Sequence, residues 1–243
     1  MHRRYLIVDD NKAFADNVAE IVRDLGDEVS VADSGAKALQ MVRRKRFHAV
    51  VTDMRMPVMG GAQLVREIRR VDPGLAAIVV TAHVADADIA AAQREGLLAV
   101  LSKPVPIHDL LDLLGVARRD GLAVIVEDDQ GLSDGLRESL RSRGFAAITA
   151  ATVLDTEQLG PVRPFVALVD LLVPGGAAGE AMLRLEGKYP GIPQLVITGL
   201  PDQPPAPCQA VFRKPFRTEE VLAAVERCHL AGAPPPPRAA QRP

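Results

Sequence analysis

Short apolar runs alternate along the chain with longer stretches in which apolar residues recur at helical spacing. Runs such as Ile78–Val80 are apolar throughout, as in a strand that is covered on both faces of a parallel sheet. Between the runs, apolar residues recur every three or four positions, as on one helix face: Phe14, Val18 and Val22 early in the chain, and Leu132, Leu136 and Leu140 later. This alternation predicts right-handed crossovers and a doubly wound α/β fold.

The chain contains this pattern twice. Four pairs of segments match in the same order and lie 111 to 118 residues apart: 4–10 with 122–128, 49–57 with 166–174, 77–82 with 194–199, and 99–104 with 210–215. A constant spacing over several landmarks is the signature of an internal repeat. We therefore interpret the chain as a tandem duplication of a unit of roughly 115 residues.

The duplication predicts two domains, residues 1–119 and 120–230. A helix is expected over Ile107–Arg118, which leaves a linker of about three residues and places the domains side by side. Residues 231–243 contain four consecutive prolines and predict a disordered or polyproline II tail. In the second unit, residues 200–208 contain four prolines, so we expect no regular fourth helix there.

Composition narrows the classes of function. Lys and Arg number 29 against 31 Asp and Glu, for a net charge of −2, whereas nucleic-acid binders need positive charge to neutralise phosphates. No apolar run reaches the ~18–20 residues that span a bilayer, and the start of the chain lacks a signal-peptide core. The two cysteines cannot form a disulfide framework. We expect a cytoplasmic protein that binds neither nucleic acid nor membrane.

Polar residues follow the predicted strands at matching places in both units. The carboxyl ends of parallel strands meet in one crevice, so we expect two clusters: Asp9, Asp10, Asp53, Thr81 and Lys103, and Glu127, Asp128, Asp170, Thr198 and Lys214. Three crowded carboxylates favour a bound cation, and Mg²⁺ takes oxygen ligands and a phosphate partner. An Asp can accept a phosphoryl group that a Lys and a Thr stabilise. Singly, each residue is more often a turn or a cap; the ordered set, present twice, outweighs those interpretations.

These residues and their order resemble the receiver domain of bacterial two-component response regulators, over about residues 3–118 and 121–230. The resemblance implies a five-stranded, flavodoxin-like parallel sheet in each domain. It also implies a signalling protein, not an enzyme with its own substrate, that receives phosphoryl groups from a histidine kinase or a phosphotransfer protein. Its further partners, a downstream protein or a second copy of the chain, stay open.

The resemblance also assigns a role to each residue. Asp53 and Asp170 are implied as the phosphoacceptors. The three acids of each unit, with the backbone carbonyl of Arg55 or Leu172, are implied to hold Mg²⁺. The remaining residues are implied to contact the phosphoryl group, in a family in which the Lys–Pro bond is commonly cis: Thr81, Thr198, Lys103 and Lys214.

Some positions depart from the family pattern. Val100 and Val211 replace the aromatic residue that usually precedes the lysine by three positions. Arg55 and His83 either tune the phosphoryl lifetime or are ordinary surface residues. Without a fourth helix in the second unit, we expect three residues to be exposed unless something packs there: Leu200, Val211 and Phe212.

Three functions remain to be compared. The first is a receiver that signals by protein contact or acts as a phosphate relay or sink, since residues after 230 leave no room for an output module. The second is a scaffold whose second unit is a phosphorylation-independent pseudo-receiver. The third is a phosphohydrolase of the haloacid-dehalogenase type, which requires a second Asp where Arg55 or Leu172 stands.

Overall fold

The structure is a computed structural model that describes residues 2–82, 89, 92–160, 162–200 and 204–232. His83, most of residues 84–91 and the tail from residue 233 onward lie outside this part of the chain. Ala231 and Gly232, expected to begin the tail, still belong to the last helix.

The first half of the chain forms a five-stranded parallel sheet. Its strands are β1 (Arg4–Val8), β2 (Glu28–Ala32), β3 (Ala49–Asp53), β4 (Ala76–Thr81) and β5 (Ala99–Ser102), in the order β2-β1-β3-β4-β5. The helices between them are α1 (Lys12–Asp24), α2 (Gly35–Arg44), α3 (Gly61–Val71) and, after β5, α4 (Ile107–Val116). Ala92 and Gln93, between β4 and β5, are also helical.

The second half repeats this architecture. Its strands are β6 (Leu122–Val126), β7 (Ala146–Ala150), β8 (Val166–Asp170), β9 (Gln194–Thr198) and β10 (Ala210–Arg213), in the order β7-β6-β8-β9-β10, all parallel. Its helices are α5 (Gln130–Ser142), α6 (Val153–Gln158), α7 (Glu180–Lys188) and α8 (Thr218–Gly232). Both sheets have the flavodoxin-like order 2-1-3-4-5, which confirms the predicted fold class.

The same local signals start the first helix of each unit. The side chain of Asn11 accepts a hydrogen bond from the Phe14 N–H, and that of Asp129 accepts one from the Leu132 N–H. These caps satisfy an amide that has no partner inside the helix. The central strands β3, β4, β6, β8 and β9 are buried at every residue, in agreement with their continuous apolar runs.

The two units differ between their last two strands. Residues 199–200 and 204–209, the described part of the segment between β9 and β10, form no helix, as the prolines predict. Val211 is 39% exposed. Leu200 and Phe212, however, are partly buried and pack against apolar core clusters, so only Val211 of the three residues expected at this surface is exposed.

The junction between the two sheets is short and hydrogen bonded. The Asp120 N–H donates to the Gly74 carbonyl at 2.8 Å, and the Arg118 N–H donates to the Gly144 carbonyl at 3.0 Å. The Arg119 guanidinium lies 2.5 Å from the Asp72 carboxylate. Because these contacts join the end of α4 to loops of both units, they hold the two sheets against each other.

Within the described residues, none of the helices combines the length and the apolar character that crossing a bilayer requires.

Candidate functional site

Three carboxylates meet at the carboxyl end of the first sheet. Asp9 and Asp10 follow β1, and Asp53 is the last residue of β3. Their carboxylate oxygens lie within 4.8 Å of one another. Asp9 and Asp53 are buried, whereas Asp10 is exposed. Adjacent strands β1 and β3 therefore bring together residues that are more than forty positions apart in the sequence.

Lys103, directly after β5, provides a positive charge in this cluster. Its Nζ lies 3.0 Å from Asp9 Oδ2 and 3.0 Å from Asp53 Oδ1. The Lys103–Pro104 bond is cis, as the resemblance implies. Thr81 ends β4 and is buried beside these strands. The carboxyl edge of the first sheet thus carries all five residues that the sequence pattern predicts there.

Burial and charge shift the proton affinities in this cluster. Desolvation raises the pKa of Asp53, and the neighbouring Asp9 and Asp10 raise it further, although Lys103 opposes this. Burial acts to lower the pKa of Lys103, but its contacts with Asp53 and Asp9 outweigh burial and raise it. The lysine therefore stays protonated and partly neutralises the crowded acids.

The second sheet carries a matching cluster. The carboxylate oxygens of Glu127, Asp128 and Asp170 lie within 4.8 Å of one another. Lys214 Nζ lies 2.7 Å from Glu127 Oε2 and 2.6 Å from Asp170 Oδ2. Thr198 is fully buried at the end of β9, and the Lys214–Pro215 bond is cis. The second unit therefore retains the same kinds of groups in the same arrangement.

The immediate surroundings of this cluster are more apolar. Burial raises the pKa of Glu127, against the effect of Lys214. Leu172, two residues after Asp170, is 55% exposed, and its N–H donates to Asp170 Oδ1 at 2.9 Å. Leu200 donates its N–H to the Thr198 hydroxyl at 3.0 Å. In the first unit the position that matches Leu172 is occupied by Arg55, which is exposed.

Two neighbours of the first cluster were not predicted from the sequence. The Phe14 ring lies 5.0 Å from Lys103 Nζ, as in a cation–π contact. The Asn11 N–H donates to Asp9 Oδ1 at 2.8 Å. Phe14 was predicted only as part of an apolar helix face; its position four residues after Asp10 is the signal that could have shown its second role. Leu132 holds the matching place in the second unit.

Each cluster provides an oxygen-rich set of ligands for a small cation. Mg²⁺ takes six oxygens, keeps several waters and is held by a few carboxylates. The two buried carboxylates of each cluster and its one exposed carboxylate are within reach of a single ion. The residues present therefore fit a magnesium ion in both units.

Comparisons with known proteins show what the chain is similar to. A family model described as a response regulator receiver domain matches residues 5–115. A response regulator receiver protein of Anaeromyxobacter sp. (strain Fw109-5) is 63% identical over 227 residues, which cover 93% of this chain and 95% of that protein. The transcriptional regulatory protein GlrR of Escherichia coli (strain K12) is 37% identical over 100 residues, 41% of this chain and 22% of GlrR.

Among solved structures, a CheY-like response regulator receiver domain protein from Methanospirillum hungatei JF-1 is similar to part of the chain. It is 29% identical, with a TM-score of 0.46, and the match covers 47% of this chain and 92% of that one.

Proposed function

Since the chain belongs to the response regulator receiver family, we propose that Asp53 accepts a phosphoryl group from a histidine kinase or a phosphotransfer protein. The observation that carries this proposal is the placement of Asp53 in the first cluster. Asp53 is 8% exposed, and its carboxylate lies 3.0 Å from the Lys103 ammonium and within 4.8 Å of two further carboxylates.

Asp53 acts as the nucleophile. One carboxylate oxygen attacks the phosphorus of the donor phosphohistidine, the P–N bond breaks, and the imidazole leaves with its electron pair and takes a proton. The product is an acyl phosphate. Lys103 contacts the phosphoryl oxygens and compensates their charge, and the Thr81 hydroxyl donates a hydrogen bond to one of them.

Asp9, Asp10 and Asp53, with the backbone carbonyl of Arg55, would hold Mg²⁺. The ion would supply positive charge against which the phosphoryl group could approach the carboxylates. Without a bound ion, the Lys103 ammonium partly neutralises Asp9 and Asp53, because it contacts both of these buried carboxylates. Magnesium and phosphorylation are typical of the family.

We extend the proposal to the second unit. Asp170 is the second phosphoacceptor, Glu127, Asp128 and the Leu172 carbonyl hold Mg²⁺, and Lys214 and Thr198 contact the phosphoryl group. The same kinds of groups surround Asp170 as surround Asp53, so we do not favour the hypothesis of a pseudo-receiver. The two units then act as separate domains, residues 1–119 and 120–230.

The protein is proposed to be a cytoplasmic signalling protein and not an enzyme with its own substrate. It would signal by contact with a downstream protein or pass phosphoryl groups on. The phosphohydrolase hypothesis is not retained, because neither Arg55 nor Leu172 can act as the second acid that such enzymes need.

Labelling by acetyl phosphate with Mg²⁺, read on a phosphate-affinity gel, tests the proposal. We expect two labelled sites in the wild type, one in Asp53→Ala, one in Asp170→Ala and none in the double variant, with loss of all labelling in a chelator. Asp33→Ala, which removes an acid outside both clusters, is the matched control. Undiminished labelling of the double variant would refute the assignment of both residues.

A further inference from the structure

A deep cleft lies between the two units, on the side away from both acid clusters. Its volume is ≈ 1300 Å³, larger than the ~300–1,000 Å³ of most small-molecule pockets. Its walls include the loops that precede β3 and β4 in the first unit and those that precede β8 and β9 in the second. The acid clusters lie at the opposite, carboxyl ends of these strands, so a ligand in the cleft would leave them accessible.

The two walls of the cleft consist of repeated positions. Arg46 and Arg163 lie 117 residues apart, and so do the dipeptides Pro73-Gly74 and Pro190-Gly191. The same spacing separates Asp53 from Asp170. All these loop residues line the cleft. The duplicated loops therefore face each other across the opening, and the last helix, α8, contributes a third wall through Arg227.

Four guanidiniums at the cleft are available to a ligand. Arg43, Arg46, Arg163 and Arg227 line it and are exposed. Over the described ranges, none of these four guanidinium groups has a hydrogen-bond or ion-pair partner. The nearby Asp72 does not neutralise them, because its carboxylate already pairs with Arg119. Asp120, which is exposed, is the other acid that lines the cleft. The rim of the cleft thus has four arginines against one unpaired acid and is basic.

The floor of the cleft consists of buried apolar side chains and packed aromatic rings. Leu195 and Ala224 line it and are buried. The Phe165 ring packs between Phe145 and His229, with ring centroids 5.3 and 5.0 Å away. A rigid apolar floor loses little conformational entropy when a ligand covers it.

Side chains at matching positions of the two units hydrogen bond to the backbone of both cleft walls. Buried Arg69 donates to the carbonyls of Pro73 at 3.1 Å and Leu75 at 2.5 Å. In the second unit Glu186, 117 residues later, accepts a hydrogen bond from the Gly191 N–H at 2.9 Å. The two loops are therefore shaped before any ligand arrives.

We propose that this cleft binds an acidic, partly apolar peptide segment of a partner protein. Carboxylates pair with guanidiniums through two parallel hydrogen bonds, and apolar side chains between them would cover the floor. The four arginines belong to two helices and two loops, and this spread suits several carboxylates along a peptide better than one phosphate group. The inference does not depend on phosphoryl transfer.

A peptide-display selection on the full-length chain tests this proposal. The probe is a random peptide library, and the Arg46→Glu/Arg163→Glu variant serves as the counter-selection target. We expect the enriched peptides to contain more Asp and Glu than Lys and Arg, with apolar residues between them. Enrichment of basic or uncharged peptides would overturn the proposal, as would a failure to enrich any sequence over the counter-selection.

Fluorescence anisotropy with the enriched peptide measures the contribution of each wall. Reversal of both charges should weaken binding by about tenfold or more, equivalent to about 1.4 kcal/mol. Arg44→Glu is the matched control, because Arg44 is exposed and lies two residues before Arg46 but does not line the cleft; it should change Kd by less than about twofold. Equal weakening by Arg44→Glu would show that only overall charge matters and would overturn the proposed site.

Two further measurements distinguish a peptide site from a phosphate site and test whether peptide binding is independent of phosphoryl transfer. Displacement of the peptide by ADP at lower concentration than by unlabelled peptide would overturn the proposal in favour of a small phosphate ligand. Asp53→Ala should bind the peptide as the wild type does. Failure of phosphoryl labelling therefore leaves this inference intact, and loss of peptide binding leaves the proposed phosphoacceptors intact.

Discussion

The edge strand that precedes the cluster lysine is mostly buried in the first unit and much more exposed in the second. Ala99 and Leu101 of β5 are buried, whereas β10 alternates between partly buried and exposed residues. Nevertheless, Lys103 and Lys214 reach equivalent acids in the two units. The cluster is built on the buried central strands, so the edge can lose a covering helix without loss of the site.

The comparison also shows how one repeated position acquires two different environments. Gly26 follows α1 and Gly144 follows α5, and both have positive φ angles, 89° and 80°. A Cβ on Gly26 would meet no atom within 4 Å, but a Cβ on Gly144 would lie 1.8 Å from the Val116 carbonyl oxygen. Both glycines end a helix, and only Gly144 is also pressed against the other unit.

The largest predicted loss of stability tests the difference between Gly26 and Gly144. Gly26→Ala should lower the free energy of unfolding by about 1–2 kcal/mol, the cost of a left-handed conformation for alanine. Gly144→Ala should cost about 4 kcal/mol or more, because the backbone of the junction must also move. Urea unfolding of the two variants measures both values. Equal losses would show that the units are not packed together at Val116.

A loss of stability of intermediate size is expected when the lysine of either cluster is replaced. Without Mg²⁺, Lys103→Met and Lys214→Met should each lower the free energy of unfolding by about 1–3 kcal/mol, because each leaves two buried carboxylates without their cation. Lys214→Met should cost more, since Lys214 lies 2.6 and 2.7 Å from its partners and Lys103 lies 3.0 Å from each of its own.

Saturating Mg²⁺ should recover most of the stability that either lysine variant loses, because the ion neutralises the same acids. Thermal unfolding with and without Mg²⁺ measures this. A fall in Mg²⁺ affinity of about tenfold in Lys103→Met would contradict the view that the lysine contacts the phosphoryl group and not the metal.

The smallest predicted loss of stability comes from replacing Phe14, whose ring lies over Lys103. Phe14→Leu gives the first unit the residue that the second has at Leu132. It should lower the free energy of unfolding by about 0.5–1 kcal/mol through loss of the cation–π contact. The reverse change, Leu132→Phe, is the matched control, and both are measured by chemical denaturation. A loss of several kcal/mol in Phe14→Leu would mean that the ring matters mainly as core.

Much of the architecture follows from the sequence alone. Continuous apolar runs identified the strands that are buried on both faces, and helical spacing identified α1 and α5. Prolines at 201, 204, 205 and 207 predict that no helix forms before β10, and the described residues of that segment, 199–200 and 204–209, contain none. These predictions succeeded because each depends on neighbours in the chain, where side-chain periodicity and the missing amide of proline act directly.

The members of each acid cluster could be predicted for a related reason. A parallel sheet brings the carboxyl ends of its strands together, so residues at those ends meet in any sheet of this order. Asp9, Asp53 and Lys103 therefore could be grouped before any coordinates were known. Phe14 could not, because its direction depends on how α1 packs on the sheet.

The tertiary structure alone decided what depends on the relative placement of the two units. The loops at Arg46 and Arg163 occupy matching positions in the two units, but their local sequence does not predict that they face each other across a cleft. The close approach of the Val116 carbonyl to Gly144 has the same origin. Periodicity specifies which residues lie on one face of an element, but contacts between distant elements arise only when the whole chain has packed.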